Sequence, residues 1–164
     1  MQTKQAEVLE KLRAAFPSTK LRSDGAFTSW GMTYPDAEAY GHHLDGKTWE
    51  QLDRDYLTRR SDALGFLGTQ HLISVLPTYL WTLIENRSWT DLPDLLLTIL
   101  AKPDETNDGL GHQRFGELID GLSDAQRVAV AAVLWRFTQD HDEAGGVENA
   151  QRALDTHWKK YLET

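Results

Sequence analysis

The chain has no cysteine among its 164 residues. That excludes disulfides, thiolate nucleophiles and cysteine-ligated zinc, and removes any pointer to an oxidising compartment. Long apolar runs are also missing: nothing approaches the ~20 consecutive apolar residues that span a bilayer. The first residues, MQTKQAEVLEKLRAAF, carry no apolar signal core and read as an amphipathic helix. The expectation is a cytoplasmic protein with no membrane contact. No G-x-G-x-x-G, P-loop, G-x-S-x-G or H-E-x-x-H occurs, so no cofactor is expected.

Positive charge is scarce outside one end. Residues 1–22 hold Lys4, Lys11, Arg13, Lys20 and Arg22 against Glu7 and Glu10, a balance of +3. The net charge is −8, so residues 23–164 carry −11. A body this acidic repels phosphate backbones, which argues against nucleic-acid binding. It suits a basic protein partner, although acidity also serves solubility alone.

What is present is helical pattern. Apolar residues make up 40% and charged residues 26%, ordinary values for a globular chain long enough for one core. The pattern predicts an all-α, single-domain bundle over 1–164 with about seven helices. Val8, Leu9, Leu12, Ala15 and Phe16 mark one face of a first helix that Pro17 stops. Asp36 is placed to cap a short helix to about Leu44, with Gly46 beyond it. Thr48 and Gln51 form a capping box opening a helix that buries Trp49, Leu52, Tyr56 and Leu57. Leu92, Leu95, Leu96, Ile99 and Leu100 repeat at helical spacing behind Thr90 or Asp91. Phe115, Leu118, Ile119 and Leu122 mark a shorter turn. Ser123 and Gln126 form a second capping box before VAVAAVLW (128–135), expected at the centre of the core. Val147, Ala150, Ala153, Leu154, Trp158 and Tyr161 line a last amphipathic helix.

Pro77 interrupts the richest apolar stretch, residues 63–85. On a helical wheel His71, Ser74, Thr78, Thr82 and Glu85 form one polar stripe that keeps its phase across the proline. Two unrelated helices have no reason to share a phase. The stripe therefore predicts one helix from Thr69 to about Asn86, kinked at Pro77, against a cost of ~3 kcal/mol in isolation. A break at Leu76 is the alternative, because residues before proline avoid the helical region.

Residues 17–35, PSTKLRSDGAFTSWGMTYP, show no helical period. Long loops within compact domains are uncommon and often functional. Trp30, Met32 and Tyr34 alternate, which allows a short extended segment. The loop either tucks its aromatics into the core or presents them as anchors for a partner. On the second reading the contact residues are Asp24, Phe27, Trp30, Tyr34, Asp36 and Glu38. An alternative acidic contact surface is Asp104, Glu105 and Asp108.

Catalytic signals are sparse. His42-His43-x-Asp45 resembles a metal fragment, but adjacent helical residues point about 100° apart and no second ligand cluster has standard spacing. No metal site is expected. His71 heads the polar stripe and is either a base facing a pocket or an exposed residue. His141-Asp142-Glu143 reads as a solvated helix end.

One resemblance adds to this. Gly46-Lys47-x-Trp49-x-x-Leu52, Asp62-Ala63-Leu64-x-Phe66-Leu67, Leu76-Pro77-x-Tyr79-Leu80 and Leu122-Ser123-x-x-Gln126 occur in order. Across residues 36–137 the chain resembles a family of small bacterial proteins carried as a domain of unknown function. The resemblance implies no activity, since its motif residues read as core and caps. Small acidic proteins of this kind are similar in class to bacterial immunity proteins. Two expectations follow. The first is a binding protein that neutralises a basic toxin domain by direct contact. The second is a small helical hydrolase using His42, His43 or His71 with nearby carboxylates.

Overall fold

The computed structural model describes residues 2–85, 91–106, 109–140 and 146–163. Among them are eight α-helices, three short 3₁₀ turns and no strand. The helices are α1 (Gln2–Ala15), α2 (Ala37–Leu44), α3 (Arg54–Arg59), α4 (Thr69–Glu85), α5 (Leu92–Leu100), α6 (Gly109–Gly121), α7 (Asp124–Asp140) and α8 (Val147–Thr156). The 3₁₀ turns are Trp49–Gln51, Ser61–Gly65 and Trp158–Tyr161. The all-α bundle is as the pattern predicts. Residues 30–34, where the alternation allows a short extended segment, form no strand.

The helix α4 runs unbroken through Pro77, and its residues on either side, Leu76, Thr78, Tyr79 and Leu80, are buried. Burial on several faces offsets the lost backbone donor. α4 packs against α1, α3, α5, α6 and α7, while α7 also lies along α1 and α8. The buried apolar side chains form one cluster that α4 and α7 share. Among the described residues no helix is long and apolar enough to cross a membrane.

Several local expectations change. The polar stripe of α4 does not face solvent along its length. Thr78 and Thr82 are buried, and their hydroxyls donate to the carbonyls of Trp49 (2.6 Å) and Thr78 (2.8 Å). The 49–51 turn docks on that stripe. The helix expected from Thr48 is split. Its capping box forms, but Leu52 turns extended (ψ 144°) and Asp53 caps α3 afresh by accepting from the Tyr56 amide at 3.1 Å. A side-chain carboxylate ready to start a new helix competes with continuing the old one. Asp36 stands at the start of α2 without capping it; its carboxylate pairs with Arg60 at 3.3 Å instead. Asp91 likewise makes no side-chain cap to α5, where Leu97 is fully buried and Leu95 is exposed.

The expected short turn around Phe115 is a thirteen-residue helix, α6. Four of its residues are glycine, and the interior Gly111 and Gly116 each cost ~1 kcal/mol in an isolated helix, so packing on α4 supplies what propensity lacks. The last helix ends early, at His157 (φ −150°, ψ −50°). Beyond it Trp158 turns inward and donates its indole N–H to the Leu100 carbonyl at 2.6 Å. In α7 the apolar run is central except for Trp135, which is 48% exposed. Asn86, Thr90, Asp108 and the tract His141–Glu143 lie outside the described residues.

Candidate binding site beside the aromatic loop

Residues 17–35 form no regular element, yet long-range backbone bonds pin them to the helices. Leu21 donates to the Lys47 carbonyl (2.7 Å) and accepts from the Gly46 amide (3.0 Å). The Asp45 carboxylate accepts from the Ser23 amide (2.7 Å) and hydroxyl (3.1 Å), and these bonds hold its pKa below the usual carboxylate value. Farther along, the Gly68 amide donates to the Ala26 carbonyl at 2.9 Å. The approach there is tight. A Cβ on residue 68 would stand 2.2 Å from the Ser29 hydroxyl oxygen and 3.1 Å from its Cβ, so any larger residue would force Ser29 to move.

The pinned loop treats its aromatics differently. Tyr34 is buried, stacks on Phe66 at 5.0 Å and donates its hydroxyl to Asp62 at 3.1 Å. Burial first, then the Asp62 charge, push the Tyr34 pKa well up. Phe27 is half-buried between Tyr34 (4.8 Å) and Tyr40 (5.5 Å). Behind them the Tyr40 and Tyr79 hydroxyls meet at 2.8 Å, and burial raises both pKa values. Tyr34 therefore belongs to the core. Met32 is exposed.

Trp30 is the aromatic that borders open space. Its indole N–H donates to the Leu67 carbonyl at 2.9 Å, and the Arg114 guanidinium lies 4.9 Å from its ring centroid. Arg114, from α6, donates in turn to the Gly65 carbonyl at 2.7 Å. Both line a cavity of about 220 Å³. Leu67, Leu72, Ile99, Phe115 and Leu118 line it together with Ala101, Pro103 and the two threonines Thr69 and Thr98.

Among the expected contact carboxylates, Asp24 and Glu38 are exposed and Asp36 is tied to Arg60. Asp104 and Glu105 are exposed and directly follow Pro103. Asp104 accepts from the Thr106 amide (3.0 Å) and hydroxyl (2.6 Å). The two surfaces read separately from the sequence, the Trp30 loop and the stretch from Asp104, thus flank one cavity.

The histidines do not converge. His42 is exposed, 3.9 Å from Glu38, and His43 stacks on Tyr56 at 3.5 Å. Among the described residues no group of three or more His, Asp or Glu is placed to hold a metal ion. His71 lines a separate open cleft with Ser29, Thr69, Glu117 and Asp120. There the Glu117 carboxylate accepts from the Thr69 hydroxyl at 3.0 Å.

A family model matches residues 4–162, nearly the whole chain. The chain belongs to a family of unknown function, DUF6714. The match takes in α1, the aromatic loop and α8, which the motif resemblance over 36–137 did not reach. No curated protein matches the chain, and no solved structure does.

Sequence reasoning missed Arg114 and Trp135. Arg114 carries no motif and sits in a segment read as a turn. Trp135 was assigned to the core by the apolar run around it. The most exposed large apolar side chain among the described residues, it lies in a groove with Lys4, Glu7, Lys11, Arg136, Lys159 and Glu163.

Proposed function

We propose that this protein acts by binding a protein partner, in the manner of a bacterial immunity protein that neutralises a basic toxin domain by direct contact. The observation that carries the reading is Trp30, a half-buried aromatic on a loop pinned by backbone bonds; the same loop carries exposed Asp24, and exposed Asp104 and Glu105 directly follow Pro103 of the cavity wall. A pre-ordered loop loses little entropy on association. Tryptophan is the residue type that most often anchors an interface, and acidic rims speed encounter with a basic partner. The cytoplasm is the proposed setting, because the chain has no cysteine.

The test is capture from extracts of the native organism with wild-type and Trp30→Ala baits of verified fold. A basic protein retained by wild type and released faster by the variant supports the reading. Equal retention by both removes Trp30 from the contact surface.

A second reading, a small helical hydrolase, is favoured by one cleft. It sets His71 beside Glu117 and Asp120, a base and two carboxylates on facing helices α4 and α6. Hydrolysis of a model ester that disappears in His71→Ala would establish it.

A further inference from the structure

We propose that the cavity lined by Trp30 and Arg114 binds a small monocarboxylate with an apolar, ring-sized body. Size is the first argument. A dry cavity of about 150 Å³ holds benzene; at about 220 Å³ this one accommodates a ring and a short acidic tail.

Lining chemistry is the second. Trp30, Leu67, Leu72, Ile99, Phe115 and Leu118 offer apolar contact, and no described lining residue is Asp or Glu. Arg114 is the one charged group in the wall. Its Nη2 donates to the Gly65 carbonyl, and its guanidinium faces the Trp30 ring. Among the described residues it enters no ion pair. A guanidinium offers five N–H donors in a planar fork that matches a carboxylate. One is committed to Gly65, which fixes the fork without neutralising it.

Energetics is the third. A partly desolvated cation without a counter-anion is unfavourable, and both the carbonyl and the aromatic face compensate only in part. Desolvation alone shifts the Arg114 pKa, downward, with no carboxylate opposing it. A ligand carboxylate supplies the missing charge, while its apolar body covers the wall. A lone cation in a wall of mostly apolar side chains, with only Thr69 and Thr98 as other polar side chains, fits a monoanion better than a heavily hydrated phosphate. The inference concerns the isolated protein and is independent of any protein partner.

The experiment is titration of the purified chain with 3-phenylpropionate, phenylacetate and 4-methylpentanoate. Calorimetry gives affinity, and the Trp30 indole N–H signal, assigned with Trp30→Phe, reports location. The uncharged isostere 3-phenylpropanamide is the control. Expected is saturable binding of at least one carboxylate that moves the Trp30 signal, with the amide at least tenfold weaker. Arg114→Gln should weaken binding at least tenfold, and Arg114→Lys should restore part of it. Ile99→Trp, on the half-buried wall, keeps Arg114 and should abolish binding by filling the space. Equal affinity for the amide, binding that leaves the Trp30 signal unmoved, or no binding by any of the three carboxylates at millimolar concentration overturns the proposal. So does unchanged affinity in a folded Arg114→Gln or Ile99→Trp variant.

Discussion

Two half-buried tryptophans each carry a guanidinium over the ring, and their surroundings are opposite. At Trp81, Arg54 lies 4.1 Å from the ring centroid and pairs with the Glu85 carboxylate. Arg13, 5.9 Å from the same ring, pairs with Glu10 (2.8 Å) and Glu50 (3.4 Å). The neighbouring open cleft is lined by Asp53, Arg54, Asp55, Thr82 and Glu85. At Trp30 the guanidinium faces an apolar cavity, with a carbonyl in place of a carboxylate. A cation–π contact alone therefore does not distinguish a structural site from a binding site. What distinguishes them is whether the cation's charge is already balanced within the chain.

His157 packs edge-on against Phe115, a cavity wall residue, at 5.2 Å. Burial, then the charges of Lys160, Lys102 and Arg127, push its pKa down to about 4.

The comparison can be broken in four ways. The largest effect is expected from Leu118→Ala, which empties the floor of the apolar cavity and should cost about 3 kcal/mol in urea denaturation. In the polar cleft Thr82→Val removes only one hydroxyl bond and should cost about 1 kcal/mol. Comparable losses would mean the two sites are packed alike.

Next, the two arginines should respond with opposite signs. Arg114→Met relieves an unbalanced charge and should raise stability by up to about 1 kcal/mol. Arg54→Met strands Glu85 and should lower it by up to about 1 kcal/mol at low salt. Melting curves moving in the same direction would erase the distinction.

Third comes pH. The folded-state pKa of His157 lies below its ordinary 6.5, so the unfolded chain takes up a proton that the folded one refuses. Its contribution is complete above pH 6.5 and is lost as pH falls from there toward about 4. Solvent reaches the ring, so the loss should stay within about 1 kcal/mol. His157→Gln should flatten this part of the stability–pH curve; an unaltered slope would place the effect elsewhere.

The smallest effect is ionic. Raising salt to about 1 M should shrink the Arg54→Met penalty by a few tenths of a kcal/mol and leave the Arg114→Met difference unchanged. Equal salt sensitivity would show that Arg114 is as exposed to counterions as Arg54.

Much of this fold was legible because its signals are local. Both capping boxes form where the spacing put them: the Ser123 amide donates to Gln126 at 2.9 Å and the Thr48 amide to Gln51 at 3.0 Å. The phase of the stripe across Pro77 predicted the continuous α4. Periodicity spoke less well where competing local preferences were near balance. Leu52 and His157 break helices whose apolar spacing continues, because Asp53 offers a new cap and Trp158 finds the Leu100 carbonyl. Four glycines hid the length of α6. Of the candidate site, Trp30 was named from the sequence as a loop aromatic, but its partner Arg114 lies 84 residues away in the chain, within the segment read as a turn.

The sequence by itself determined that this chain is all-α, where most helices start, and that one loop is irregular and aromatic. Those properties rest on hydrogen bonds and side-chain spacing within a few residues. Tertiary structure alone decided that Tyr34 is buried while Trp30 borders a cavity, that Thr78 and Thr82 serve the core, and that Arg114 faces apolar walls without a carboxylate. Each of those outcomes depends on which distant segment supplies the nearest charge, carbonyl or ring, and no local pattern encodes that choice.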